Sequence, residues 1–457
     1  MHTRRLFGTS GIRGVVNQDL SPDFCRRVAL AIGTTLPPAS TVCIATDTRI
    51  SRDVIKEAVS SGLLSCGINV VDLGILPTPA LALLTRESGF AAGIMVTASH
   101  NPPEFNGIKL FTENSLGYSQ AQEAEIEKVY FEQKFRQGKR GTLEKAQDMK
   151  QRYLSFIKGK LSLPGFNHQL KIVVDPGNGA ASKFASDIFV QMGLDIIPIN
   201  DEPNGLFPGR SPEPKADTLQ GTVNFLRQHN ADLAICFDGD ADRVVFCDKE
   251  GFLGFNEPIA FISRLVVKKT GKKKIATTVE TGTLLDLAVK DLEVEVVRGR
   301  VGDVAVAHLA QELDAALGVE QVGVYIIPEA GYYPDSIFAS LILLSQLSDA
   351  GEIRQYFHRI PRLFFEKAKV SCPGELKELV MAQVKEKAHL FAPDEIPIKI
   401  GTLDGLRLDF PNSWMLIRAS GTEPVIRVIS ESTSQTQTDK LIRKGKKLVQ
   451  SLVEANR

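Results

Sequence analysis

TVCIATDTRISRDVIKEAVSSGLLSCGINVVDLGILPTPALALLTRESGFAAGIMVT, residues 41–97, alternates short β-branched runs with helical periods. TVCIAT (41–46) reads as a strand. Ser51 then opens a helix that puts Val54, Ile55, Ala58, Val59 and Leu63 on one face. NVVDLG, a helix near 79–87 and the apolar run GFAAGIMVT (89–97) follow. That is β-α-β-α-β, a pattern that winds into a mostly parallel sheet covered by helices. Upstream, Ser21 and Pro22 supply a helix start for Phe24, Val28 and Ile32.

The pattern restarts twice after a polar junction around 132–151. The second unit holds KIVVD (171–175), a helix at 180–192, LDIIPIN (194–200), a helix near 216–228 and DLAICFD (232–238). The third holds helices at 257–268, 282–290 and 303–313 between KIATTVE (274–280), EVEVVR (293–298) and VGVYII (322–327). A charged helix at 374–389, strands near 397–410, 413–418 and 425–430, and a helix at 435–453 end the chain. The fold class expected is α/β: three related modules with mixed sheets, at 1–145, 146–246 and 247–365, and a smaller α+β domain at 366–457.

A chain of 457 residues is long enough for three or four domains. Lys+Arg 54 against Asp+Glu 54 leaves formal charge +0, so no global field draws it to nucleic acid or an anionic membrane. No apolar stretch reaches the length of a spanning helix, and MHTRRLFGTSG lacks a signal core. Six dispersed cysteines suit neither a disulfide framework nor a zinc knuckle. These features predict a cytoplasmic protein, monomer or homodimer, with a local polyanion site.

Four polar segments carry chemistry. TASHNPPEFNGIKL (97–110) follows an apolar strand, so Ser99 stands where ligands gather beyond strand ends. A phosphorylated serine is a good phosphoryl donor once its oxygens are neutralised, and Lys109 could carry a proton or clamp a phosphate. DGDADR (238–243) converges Asp238, Asp240 and Asp242 in a tight loop suited to a hard divalent cation. Arg243 and Lys249 stand where an EF-hand loop needs Gly and Glu, which excludes that reading. RASGTEPVIRV (418–428) offers a guanidinium fork, hydroxyls and open backbone N–H groups for a phosphate. FGTSGIRG (7–14) adds glycines and Arg13. An ordinary turn is the plain alternative for each segment taken alone. No P-loop, GxGxxG loop in the right context or GxSxG elbow appears.

In this order and across essentially the whole chain, these motifs resemble those of the α-D-phosphohexomutase family: phosphoglucomutase, phosphomannomutase and phosphoglucosamine mutase. The resemblance implies four domains around a central cleft and interconversion of hexose 1-phosphate and 6-phosphate through a bisphosphorylated sugar. Ser99 would be the phosphoserine, and Ser99, Asp238, Asp240 and Asp242 would hold Mg²⁺. Arg13 and Lys109 match the basic residues beside the transferred group, and Arg243 supports the metal loop. Arg418, Ser420, Gly421 and Thr422 match a distal phosphate clamp with Arg427 as neighbour. A hexose 1,6-bisphosphate would be the activator. His100 is either catalytic or a residue that orders the Ser99 loop; His308 reads as packed or solvated.

The sugar-reading motif departs from the family pattern. Glu320 in VEQVG (319–323) stands at the sugar-hydroxyl acceptor, with Val322 in place of Ser or Asn, and Glu329 offers a rival placement. Gly302 lies in a neighbouring loop, RVGD (300–303), expected to touch the sugar. Phosphoglucomutase or phosphomannomutase activity is the expectation, with phosphoglucosamine mutase or a non-catalytic sugar-phosphate-binding relative as alternatives.

Overall fold

A computed structural model describes residues 6–161, 166–167, 169–387, 396–421 and 423–457. The first sheet has the order β1-β5-β4-β2-β3-β6. Its strands are β1 (Ile12–Val15), β2 (Thr41–Thr46), β3 (Asn69–Ile75), β4 (Ala92–Val96), β5 (Phe105–Thr112) and β6 (Leu143–Lys145). β2, β3, β4 and β6 run parallel, whereas β5 is antiparallel to both β1 and β4. Helix Pro22–Thr35 is capped as its sequence predicts, with Ser21 Oγ accepting from Phe24 N at 3.1 Å.

The second sheet is β11-β10-β9-β7-β8, built from β7 (Lys171–Asp175), β8 (Asp195–Pro198), β9 (Leu233–Phe237), β10 (Val244–Asp248) and β11 (Gly251–Phe252). It continues past 246, where the sequence reading divides the chain. The third, β13-β12-β14-β15, uses β12 (Lys274–Thr278), β13 (Glu295–Gly299), β14 (Leu317–Glu320) and β15 (Val324–Ile326). The fourth is wholly antiparallel, β16-β20-β19-β18-β17. Its strands are β16 (Phe364–Ser371), β17 (Lys399–Gly401), β18 (Leu406–Phe410), β19 (Ser413–Ala419) and β20 (Val425–Ser432). Helix Gln435–Ala455 packs on this sheet through Leu441, Val449 and Leu452.

One apolar cluster runs through the first three modules, joining Met95, Phe237, Phe246, Leu317 and helix Ser336–Leu344. The fourth has its own core, with a small contact to the third through Val279, Trp414, Leu416 and Ile429. Helix Ser336–Leu344 is buried along its whole length. Buried Asp335 caps it by accepting from Phe338 N at 2.9 Å, and Tyr153 donates to the same carboxylate at 2.7 Å. Burial pushes Asp335 up to about 6. Ser336 Oγ then donates to Ala241 O, tying this helix to the loop after β9. Among the described residues no helix is long and apolar enough to cross a membrane.

Several sequence expectations need correction. Asn106-Gly107, a pair that taken locally signals a turn, lies instead within β5, paired with β1, because the sheet supplies partners that a local reading cannot see. The single strand at 322–327 is β15, and β14 precedes it across a tight turn at Gly323, φ +85°. The run at 397–410 is two strands, β17 and β18. Ser51 makes no side-chain cap; its hydroxyl accepts from Asn106 Nδ2 at 2.9 Å. Helices Gln120–Glu132, Met149–Lys160, Ser336–Leu344 and Glu352–Phe357 went unread, as did β1, β6, β10, β11 and β16. Helix Lys377–Glu386 answers to the charged helix; residues 388 and 389 of that expectation lie outside the described residues.

At Gly107 both β1 and the segment leading to Ser99 crowd β5. A Cβ there would lie 2.3 Å from Ile12 O and 2.7 Å from Thr97 O, both backbone atoms. Gly107→Ala should therefore cost about 2–3 kcal/mol of stability in urea unfolding; an unchanged midpoint would contradict the packing described.

Candidate active site

Ser99 lies just beyond the end of β4, fully buried and in the left-handed region at φ +52°. Such a conformation persists only where neighbours impose it. Here Ser99 N donates to Thr97 Oγ1 at 2.8 Å, and Thr97 Oγ1 donates to Asp47 Oδ2 at 2.6 Å. Arg49, also fully buried, pairs with Asp47 at 2.9 Å and turns its remaining donors on the loop. They reach Ser99 O at 2.8 Å, Asn101 O at 2.6 Å, Phe105 O at 2.9 Å and also Pro102 O. Four carbonyls of one loop thus close on one guanidinium.

The aspartate loop connects β9 to β10 as a hairpin, Phe237 facing Val244. A second buried pair, Arg210–Asp175 at 2.9 Å, supports its base: Arg210 Nη2 donates to Phe237 O at 2.7 Å. Asp238, Asp240 and Asp242 are all buried, with one carboxylate oxygen from each within 4.8 Å of the others. Ser99 Oγ donates to Asp238 Oδ2 at 2.7 Å. Lys109, carried by β5, donates to Asp240 Oδ2 at 3.0 Å and to Asp242 Oδ2 at 2.5 Å. Thr78 Oγ1 adds a bond to Asp240 Oδ2 at 2.6 Å. Asp240 Oδ1 and Asp242 Oδ1 are buried with no hydrogen-bond partner.

Burial and the two neighbouring aspartates push Asp238 well above the usual carboxylate range. For Asp242 burial is outweighed by Lys109, Arg243 and Arg13, which bring it down to about 2. The same carboxylates outweigh burial at Lys109 and hold its ammonium charged. His100 Nδ1 lies 3.4 Å from Ser99 Oγ, and Arg243, burial and Arg13 depress its pKa to about 2. Its ring is therefore neutral. Two orphaned carboxylate oxygens beside a third carboxylate are an all-oxygen donor set that fits a hard divalent cation.

The third module contributes Glu320 at the end of β14. Its Oε1 accepts from Gly302 N at 2.8 Å, where φ of +128° requires glycine. Burial and Asp303 push Glu320 up to about 7 against the Gly302 N–H and Arg243. Arg243 reaches back to the aspartates, 3.8 Å from Asp242 Oδ1. In the fourth module Arg418 pairs with Asp404 at 3.0 Å and with Glu280 at 3.2 Å, while Arg427 pairs with Glu423 at 2.9 Å. Asp404 Oδ2 also accepts from Val301 N at 3.0 Å, and a Cβ on Gly421 would sit 3.4 Å from Thr9. The segments 7–14, 300–303 and 418–421 therefore meet.

The structure thus gathers Ser99, His100, Lys109, Arg13 and the three aspartates tightly, with Arg243, Glu320 and Gly302 behind them. Arg418, Ser420, Gly421 and Arg427 form a second group; Thr422 lies outside the described residues. Glu329 stands apart in a pair with Lys269 at 2.8 Å, and Val322 is 37 % exposed at the turn. His308 is not in the site: its ring bonds Gly117 O at 3.1 Å. Asp47, Arg49, Thr78, Glu280 and Asp404 were missed. Asp47-Thr48-Arg49 directly after a strand was the available signal; the other three act through partners distant in sequence.

Models of the phosphoglucomutase/phosphomannomutase family match the chain piece by piece: α/β/α domain I at 4–137, domain II at 151–251, domain III at 256–363 and the C-terminal domain at 379–444. Three modules with mixed sheets, a fourth with an antiparallel sheet, and a buried serine–aspartate centre define the class. The chain belongs to the phosphoglucomutase/phosphomannomutase family. It is 38 % identical to a probable phosphoglucosamine mutase of Pyrococcus horikoshii, covering 98 % of this chain and 99 % of that one. It is 34 % identical to a phosphoglucomutase/phosphomannomutase of Thermococcus kodakarensis, with 98 % and 99 % covered. A crystal structure of a family protein from Burkholderia thailandensis superposes with TM-score 0.85 at 25 % identity, covering 98 % and 97 %.

Glu320 makes a pH prediction. Its proton is held more tightly in the folded state, at about 7 against an ordinary 4.5. Stability is therefore untouched below 4.5, falls as pH rises between the two values, and carries the full penalty of the buried carboxylate above 7. Glu320→Gln removes that penalty and should gain about 3 kcal/mol at pH 8 but far less at pH 5. Denaturant titrations at the two pH values check it; an equal effect at both would refute it.

Proposed function

We propose that this chain is a Mg²⁺-dependent phosphohexomutase that interconverts hexose 1-phosphate and 6-phosphate through phosphoserine 99 and a bisphosphorylated sugar. One observation carries the reading: the Ser99 hydroxyl rests on Asp238 at 2.7 Å, inside a buried cluster of three carboxylates braced by Lys109. A nucleophile so deeply surrounded by acid is useful only if its substrate brings compensating groups, and a phosphoryl ester beside a divalent cation does so.

In this reading Asp238, Asp240 and Asp242 hold Mg²⁺ with an oxygen from Ser99, and the ion when bound neutralises the phosphoryl oxygens. Arg13 and Lys109 add positive charge, and Lys109 acts as a charged clamp, since its pairing with two aspartates leaves it no tendency to give up a proton. The sugar hydroxyl attacks the Ser99 phosphorus, its bond to phosphorus forms as the Ser99 Oγ–P bond breaks, and its proton passes to the neutral His100 ring. A dianion on Ser99 raises the basicity of that ring, opposing the surrounding cations that depress it. Reversal of the steps on the other phosphate returns the phosphoryl group to Ser99. Positioning and charge neutralisation carry such a transfer.

Glu320 and Gly302 face the sugar, and Arg418, Ser420, Gly421, Thr422 and Arg427 grip the phosphate that is not reacting. A hexose 1,6-bisphosphate charges Ser99 before the first turnover, and the cytoplasm is the place of the reaction. For the sugar, glucose and mannose phosphates share the 3- and 4-hydroxyls that Glu320 can bridge. Glucosamine phosphate is the second reading, favoured by the 38 % identity to a probable phosphoglucosamine mutase.

Intact-protein mass spectrometry should find phosphate on Ser99 in part of the population. Ser99→Ala should lose that increment and nearly all turnover, and Asp240→Ala should lose turnover along with the response to Mg²⁺. Full activity in Ser99→Ala, or activity surviving thorough chelation, would sink the mechanism.

A further inference from the structure

Glu280, two residues past the end of β12, has no part in the mechanism above, yet it is central to the fourth module's charge pattern. Its carboxylate lies 2.6 Å from Lys367 Nζ, 3.2 Å from Arg418 Nη1 and 3.9 Å from Arg427 Nη1. Its side chain is only 12 % exposed. The pairing register explains the need: Arg418 stands directly opposite Arg427 on β19 and β20, and Lys369 opposite Arg427 on β16. Like charges placed directly across a sheet repel. The shared counter-ion of three of these cations comes from another module.

The backbone around Glu280 is fixed on both sides. Arg407 Nη1 donates to Val279 O at 2.7 Å and Thr281 O at 3.1 Å. Glu431 accepts from Thr283 N at 2.7 Å and from its hydroxyl at 2.6 Å. These bonds hold the turn against the clamp without using the Glu280 side chain.

We propose that Glu280 sets the affinity of the distal clamp by acting as a resident anion that a sugar phosphate must displace from Arg418, Arg427 and Lys367. The proposal rests on the reading of 418–427 as the phosphate clamp. A phosphate dianion carries more charge and more acceptor oxygens than a carboxylate, so it wins the guanidinium forks, but only by the difference. That difference suits the reaction. A bisphosphorylated intermediate must release one phosphate from the clamp and return with the other, and a carboxylate ready to take over the cations lowers the barrier to release.

Glu280→Gln keeps the shape and an acceptor oxygen for Arg418. Calorimetric titration with inorganic phosphate and with glucose 6-phosphate should show about tenfold tighter binding than in the parent protein, since a competing charge has been removed. On a sugar that turns over, KM and kcat should both fall, the second because release slows. Tightened binding is an outcome that mere damage to the fold cannot produce. Phosphate binding that is unchanged or weaker in a Glu280→Gln protein of normal stability overturns the proposal. Arg418→Ala separates the two readings: weaker phosphate binding upholds the clamp whatever Glu280 does, whereas no change removes the clamp reading itself.

Discussion

Crowding of negative charge organises this molecule. Three buried carboxylates lie within 4.8 Å of one another at the end of a buried strand, a configuration that unfolds itself unless cations are built around it. Lys109 comes from β5 of the first sheet, Arg243 from the loop's own end, and Arg13 from β1. Two of those three cations belong to a different module from the aspartates. The first two modules are thus held face to face by the same charges that make the site reactive, and Ser99 is pressed into contact with Asp238 as a result.

The same logic recurs at the other end of the cleft with the signs reversed. There the fourth module brings an excess of cations, Arg418, Arg427 and Lys367, and the third supplies the carboxylate that makes the arrangement tolerable. Carboxylates gather at one end and guanidinium groups at the other, each set balanced in part by partners from a neighbouring module. In the proposed function a phosphorylated sugar would lie between these two ends, with Glu320 and Gly302 facing it.

Much of this was legible in the chain because the motifs are local. DGDADR puts its three carboxylates in one hairpin whatever surrounds it, and TASHN places Ser99 just past a strand that its apolar run announces. The repeat of α/β units was equally plain where helices are amphipathic. Helix Ser336–Leu344 escaped because SIFASLILL is apolar on every side and has no period to read. β5 was hidden by Asn106-Gly107, a pair that signals a turn unless a neighbouring strand claims it. Thr78 and Glu280 were invisible for a deeper reason: their side-chain hydrogen bonds reach residues 87 to 162 positions away.

Arg49 and Arg210 share a habit that bears on how such a protein can change. Each is buried, each is paired with an aspartate, and each grips carbonyl oxygens of a reactive loop or its base. Carbonyls are the same whichever side chain follows them. The shape of the serine loop is consequently written largely in residues outside it, and apart from Thr97, whose hydroxyl holds Ser99 N, its side chains are less bound to the geometry that presents Ser99. New substrate preferences can arise on such a frame one surface residue at a time, while the two arginines themselves cannot drift.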